Sequence, residues 1–275
     1  MADHDLSGFE REAFTHEGST RPVLRRGSGP AVIVLAEIPG ITPKVLEFAE
    51  RVAALGCTAV LPVLFGTPGH DPHPQAHGLL RGALYTASSL WNVCVSREFT
   101  VLATGRSSPV VDWLRALSAD EHKRCGGPGV GAVGMCLTGG FALAMAVDEH
   151  LLAPVLSQPS LPLGITPRRR DGIDISPEDL ATVRGRCERE GLQVLGLRFK
   201  SDRITPGARF AFLRRELGDA FVAVELEDED ANPDAVLPPH SVLTEHLVDR
   251  PGQPTRAALD QVLDLLRTRL LPDAT

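Results

Sequence analysis

Residues 130–149, VGAVGMCLTGGFALAMAVDE, place one cysteine among glycines, between a strand-like pattern and a helix-like one. An apolar run rises into Gly134-Met135-Cys136-Leu137-Thr138-Gly139-Gly140, and helical spacing follows. A strand that turns sharply into a helix forces the residue at its tip into a strained backbone conformation. Neighbours two positions away must be small so that strand and helix can approach. Gly134 meets that need on one side, and Thr138 followed by Gly139 and Gly140 serves on the other. A thiol at the tip sits at the N-terminus of the following helix, where the dipole favours thiolate. The N–H of Leu137 points at the same place and can donate to an oxyanion. The stretch therefore predicts an exposed nucleophile, Cys136, between a buried strand and a helix.

Working outward, strands and helices alternate. Residues 31–36, AVIVLA, and 58–63, TAVLPV, are apolar without interruption, the mark of strands buried on both faces. Between them Thr42 caps a helix with Pro43 in its first turn, and Gly56 ends it. Ser108-Pro109 starts another helix, and Ser176-Pro177 caps a third that runs to about residue 190. Further strands are expected at 130–133, 151–156, 192–199 and 220–226, with helices at 78–91, 206–217 and 253–270. Residues 9–27 are polar and read as an edge or lead-in element, so 1–28 is taken as a lead-in within one domain spanning 1–275. The alternation predicts an α/β fold: a mostly parallel central sheet with helices on both faces.

In such sheets ligands bind beyond the carboxyl ends of the strands. Four residues stand out there: Glu37, Cys136, Asp202, and His240 in the loop Pro238-Pro239-His240-Ser241. The order nucleophile, acid, histidine is that of the α/β-hydrolase fold. Each residue alone has an ordinary reading as a core thiol, a strand end or a surface loop. Together they predict a Cys–His–Asp triad. A second oxyanion donor is expected from the turn after the first buried strand, at the N–H of Ile38.

Residues 36–41 (AEIPGI), the strand leading to Leu64-Phe65-Gly66, the Gly-Met-Cys-Leu-Thr-Gly-Gly elbow, Ser201-Asp202 and Pro239-His240-Ser241 together resemble the dienelactone hydrolase family. The likeness spans about residues 30–245. It implies a cofactor-free hydrolase acting on a small-molecule ester or lactone. By position it implies Cys136 as nucleophile, His240 as general base, Asp202 as its orienting acid, and Ile38 and Leu137 as oxyanion amides. Glu37 would match the carboxylate that pairs with the resting thiol. Two positions depart from the family pattern: Thr138 stands before the elbow glycines, and Thr244 stands where an arginine follows the histidine by four. Arg81, Arg97 and Arg203 are then candidates to hold a substrate carboxylate, and Phe65 and Tyr85 to touch substrate. Alternatives on the same scaffold are a thioesterase or other acyl hydrolase, and a non-catalytic protein that uses Cys136 for ligand capture or redox sensing.

The bulk properties bound the class of function. Of 275 residues, 43% are hydrophobic and 23% charged, enough for a sizeable core, and the net charge of −7 disfavours nucleic acid. Arg168-Arg169-Arg170 reads as a solvated loop. The opening residues are polar and acidic, no apolar run reaches the roughly 18 residues that span a bilayer, and the five cysteines are scattered without pairing. These features predict a cytoplasmic protein with free thiols. His70, Asp71, His73 and His77 have ligand-like spacing, but prolines between them argue for a pocket rim, and no metal site is expected.

Overall fold

The computed structural model describes residues 5–71, 107–163, 166 and 170–271. Its eight strands form one sheet: β1 (Glu10–His16), β2 (Ser19–Gly27), β3 (Ala31–Leu35), β4 (Thr58–Pro62), β5 (Val130–Met135), β6 (Leu151–Ser157), β7 (Val194–Phe199) and β8 (Phe221–Leu226). The spatial order is β1-β2-β4-β3-β5-β6-β7-β8. β1 and β2, and β2 and β4, pair antiparallel; every other pairing is parallel. The expected lead-in is therefore, over residues 10–27, a hairpin built into the sheet. Glu17 and Gly18, at φ +47° and +78°, form its two-residue turn, the primed geometry that matches strand twist.

The described helices are α1 (Pro43–Ala54), α2 (Val110–Cys125), α3 (Gly139–Met145), α4 (Pro177–Glu190), α5 (Gly207–Leu217) and α6 (Pro254–Leu270). Alternation along each strand sorts the core into two layers. On one face Val32 and Val34 join Val45, Leu46 and Phe48 of α1 and Leu259, Val262 and Leu266 of α6. On the other, Ile33 and Leu35 join Leu114 of α2, Phe141 of α3, Val183 of α4 and Phe210 of α5. Each such side chain, fully buried, stabilises the fold by about 1.5–3 kcal/mol. This is the mostly parallel α/β architecture that the alternation predicted, and the α/β-hydrolase fold that the order of nucleophile, acid and histidine pointed to.

Both caps read from the sequence are present. Thr42 Oγ1 accepts from the Val45 N–H, and Ser176 Oγ accepts from the Asp179 N–H. The helix expected to start at Ser108-Pro109 begins at Val110; Ser108 donates its hydroxyl to Asp174 at 2.5 Å, and Pro109 occupies the cap without a side-chain bond. The expected helix over 78–91 lies outside the described residues.

Candidate active site

Parallel register brings the site together. Leu35 of β3 pairs with Gly134 of β5, so the turns that follow, Glu37-Ile38 and Cys136-Leu137, leave the sheet side by side. Ile38 and Leu137, the two predicted oxyanion donors, thus occupy matching positions on neighbouring strand ends. Gly40, at φ +136°, lets the first turn lie against the Phe65 carbonyl, which an added Cβ would meet at 2.5 Å.

Cys136 is half-buried and sits at φ +56°, as a nucleophile elbow requires. A Cβ on Gly134 would come within 2.2 Å of the Thr138 carbonyl oxygen, so only glycine fits. Thr138 is not a passive replacement for a glycine. Its Oγ1 accepts from the Met135 N–H at 2.9 Å and lies 2.9 Å from the carbonyl oxygens of Leu35 and Met135, tying the elbow to the end of β3. Ser160 N donates to the Cys136 carbonyl, closing the loop after β6 over the elbow.

Asp202 follows β7 and is buried. Its Oδ1 accepts from the N–H groups of Ile204 and Thr205 at 2.9 and 3.2 Å, and Oδ2 accepts from His240 Nδ1 at 2.7 Å. Burial alone would raise the Asp202 pKa, but the bond and charge of His240 and the two amides outweigh it and hold the carboxyl below its usual range. For His240, burial pulls the imidazole pKa down. The charge and hydrogen bond of Cys136, with those of Asp202, reverse this and raise it well above the ordinary value. Nε2 of His240 is buried and has no partner of ordinary hydrogen-bond geometry among the described residues. The raised imidazole pKa thus reflects the nearby Cys136, although no hydrogen bond of ordinary geometry joins Nε2 to the sulfur among the described residues.

Glu37 is buried, and its bonds run elsewhere than the thiol. Oε1 accepts from Thr244 Oγ1, and Oε2 accepts from Ser241 Oγ at 2.6 Å and from Gln158 Nε2 at 3.2 Å. The pairing with Cys136 implied by the family resemblance is not among its contacts. Thr244, at the position of the missing arginine, is a partner of Glu37. Phe65, a candidate to touch substrate, is buried in the same core cluster as Leu137. Arg203 is exposed beside Asp202. Arg81, Arg97, Tyr85, His73, His77, Arg168 and Arg169 lie outside the described residues, within which no cluster suited to a metal ion occurs. No described helix is long and apolar enough to cross a membrane.

Two residues that sequence reasoning passed over belong here. Gln158, at φ +36°, directly follows β6, a strand end that the logic of the fold marks for inspection. Arg209 in α5 is fully buried and donates to the carbonyls of Pro159, Pro162 and Gly172, holding the loop after β6. Burial brings its pKa down to about 10 against the charges of Asp202, Asp174 and Cys136. Nothing in the sequence separates it from a surface arginine on an amphipathic helix.

Comparison with curated protein sequences gives no match. Among solved structures, the chain is similar to the dienelactone hydrolase-like promiscuous phosphotriesterase P91 from metagenomic libraries, at 16% identity and TM-score 0.61, over 95% of this chain and 98% of that one. It is also similar to a dienelactone hydrolase from Anabaena variabilis, at 14% identity and TM-score 0.56, over 96% and 99%. A third similar structure is the 2,6-dihydroxy-pseudo-oxynicotine hydrolase, at 16% identity and TM-score 0.56, over 94% and 68%. At these identities the likeness is one of fold. The family model of the dienelactone hydrolase family matches residues 20–160, from β2 through the elbow to the turn after β6, and the chain belongs to that family.

Proposed function

We propose that the chain is a cysteine-dependent hydrolase of activated esters or lactones, working through a covalent acyl-enzyme on Cys136. What supports this reading is the 2.7 Å hydrogen bond between Asp202 and the His240 ring, together with a half-buried Cys136 at positive φ on the turn between β5 and α3. Asp202 takes the Nδ1 proton of His240 in a hydrogen bond, so Nε2 is the nitrogen left for proton transfer.

The thiolate of Cys136 attacks the substrate carbonyl carbon while Nε2 carries the proton. The amides of Ile38 and Leu137 donate to the oxyanion, a contribution of about 3–4 kcal/mol per donor in comparable sites. Collapse breaks the acyl–oxygen bond, and the leaving oxygen takes the Nε2 proton. Water then gives a proton to Nε2 and attacks the thioester, releasing the acid and restoring the thiolate–imidazolium pair. An enolate or phenolate leaves readily. A plain alkoxide leaves poorly, and the tetrahedral intermediate expels the thiolate instead, so activated esters and lactones are the expected substrates.

The test is hydrolysis of p-nitrophenyl acetate by wild type and Cys136→Ala, with mass spectrometry for an acetyl adduct on residue 136. The alanine variant should lose about a thousandfold or more in kcat. Full activity in that variant, or equal turnover of ethyl and p-nitrophenyl acetate, overturns the reading.

A further inference from the structure

Glu37 is a carboxylate held by two hydroxyls of the loop that carries the histidine and by the side-chain amide of Gln158 after β6. Besides Thr244, Ser241 and Gln158, it has no other hydrogen-bond partner among the described residues. All three partners are buried, and Ser241 adjoins His240. Gln158 extends the link. Its Oε1 accepts from the Val242 N–H at 3.3 Å and from Ser157 Oγ, and its backbone N–H donates to the Leu197 carbonyl. The ends of β3, β6 and β7 are thereby fastened to residues 241–244. His246 completes the loop from within: Nδ1 accepts from the Ser241 N–H at 3.1 Å, leaving Nε2 to donate to the Leu237 carbonyl at 3.0 Å.

We propose that Glu37 is a positioning residue that anchors the His240 loop through Ser241, Thr244 and Gln158, so that Cys136 is activated by His240 before substrate arrives. The proposal rests on the reading of Cys136 as nucleophile. The carboxylate oxygens of Glu37 are engaged by three donors and make no described contact with the sulfur, so His240, fixed by Asp202, is the group positioned to take the thiol proton. The thiol proton passes instead to His240 Nε2: the S–H bond breaks, an N–H bond forms, and a thiolate–imidazolium pair results with no other reactant. The hydroxyl of Thr244 is committed to Glu37, so position 244 offers no cation to a substrate. Activation then needs no negative charge on the substrate, and neutral esters and lactones are the class that fits. The charged groups around the pair are Asp202 from the loop after β7, Glu37 from the turn after β3 and Arg209 from α5, with His246 in the same loop.

The experiment is the pH dependence of Cys136 alkylation by iodoacetamide, a neutral probe, in the resting protein, with the labelled residue identified by mass spectrometry. The wild-type profile sets the reference. Glu37→Ala and Thr244→Val should each lose about tenfold in rate at pH 6, the profile moving toward that of a free thiol by about one pH unit. Glu37→Gln, which still accepts from the loop, should restore the wild-type position of the profile. If Glu37→Gln shifts the profile as far as alanine does, the carboxylate charge itself activates the thiol and the proposal fails. If both Glu37→Ala and Thr244→Val leave the profile in place, the anchor does not exist. Should Glu37→Ala fail to fold, Thr244→Val and Ser241→Ala carry the same comparison. Ester hydrolysis surviving in Cys136→Ala would instead overturn the nucleophile assignment, whatever these profiles show.

Discussion

Cys136 sits at φ +56°, a region that a residue with a Cβ enters at a cost of about 1–3 kcal/mol. Two neighbours make that conformation tenable. Gly134 leaves room for the Thr138 carbonyl, and the Thr138 hydroxyl joins Met135 on the elbow to Leu35 on β3. Thr138→Val keeps the side-chain shape and removes the hydroxyl, leaving the buried Met135 N–H without its acceptor. The expected loss is about 1–3 kcal/mol in stability, with a fall in kcat for an activated ester because the thiol leaves its aim. Thr138→Ser should retain both. Urea midpoints and steady-state kinetics on the two variants check this; a valine variant as stable and active as wild type would show that the hydroxyl carries nothing.

Elements were legible where they are buried on both faces. β3 and β4 read as unbroken apolar runs because solvent reaches neither side. β1 did not, because most of its residues face water and no run or clean alternation marks it. It joins the sheet by antiparallel pairing with β2, and Arg25 of β2 adds side-chain links, reaching Glu12 on β1 at 3.0 Å and donating through Nε at 2.8 Å to Glu121 of α2. Arg25 is nearly buried and Glu121 wholly so. Pairs of this kind reveal themselves when one partner is removed, since a buried charge is then left alone. Arg25→Met should destabilise the protein by about 3–5 kcal/mol, and the double variant Arg25→Met/Glu121→Met should recover most of the loss. Chemical denaturation of the single and double variants reads this directly. A double variant no better than Arg25→Met would mean that packing at Arg25, not the charge left on Glu121, sets the cost.

At the scale of the molecule, a parallel sheet delivers distant residues to one edge, and this decides what sequence can disclose. Cys136, Asp202 and His240 could be singled out because they lie beyond strand ends in a chemically meaningful order. The bonds of Glu37 to Ser241 and Thr244 cross 204 and 207 residues, and serine, threonine and glutamine carry no pattern that marks such a partnership. The same holds for the loop after β6, where Arg209 and Asp174 are buried as charged groups in one region. Asp174 accepts from Ser108 through Oδ2, while Oδ1 has no hydrogen-bond partner among the described residues. Burial raises its pKa to about 6 from 3.8, against the opposing effects of the Ser108 bond and the Arg209 charge. The sign of the pH effect follows from linkage. A carboxyl raised in the folded state is protonated there before it is in the unfolded chain, so its favourable contribution is full below pH 3.8 and is lost as pH climbs through about 6. Asp174→Asn keeps an acceptor for Ser108 and cannot ionise. Stability measured by urea denaturation should therefore move in favour of the asparagine variant as pH rises from about 4 to 8, by on the order of 3 kcal/mol in total. A difference between variant and wild type that stays constant across that window would mean that Asp174 does not change its charge there. The buried carboxylate would then be matched by Arg209 at every pH.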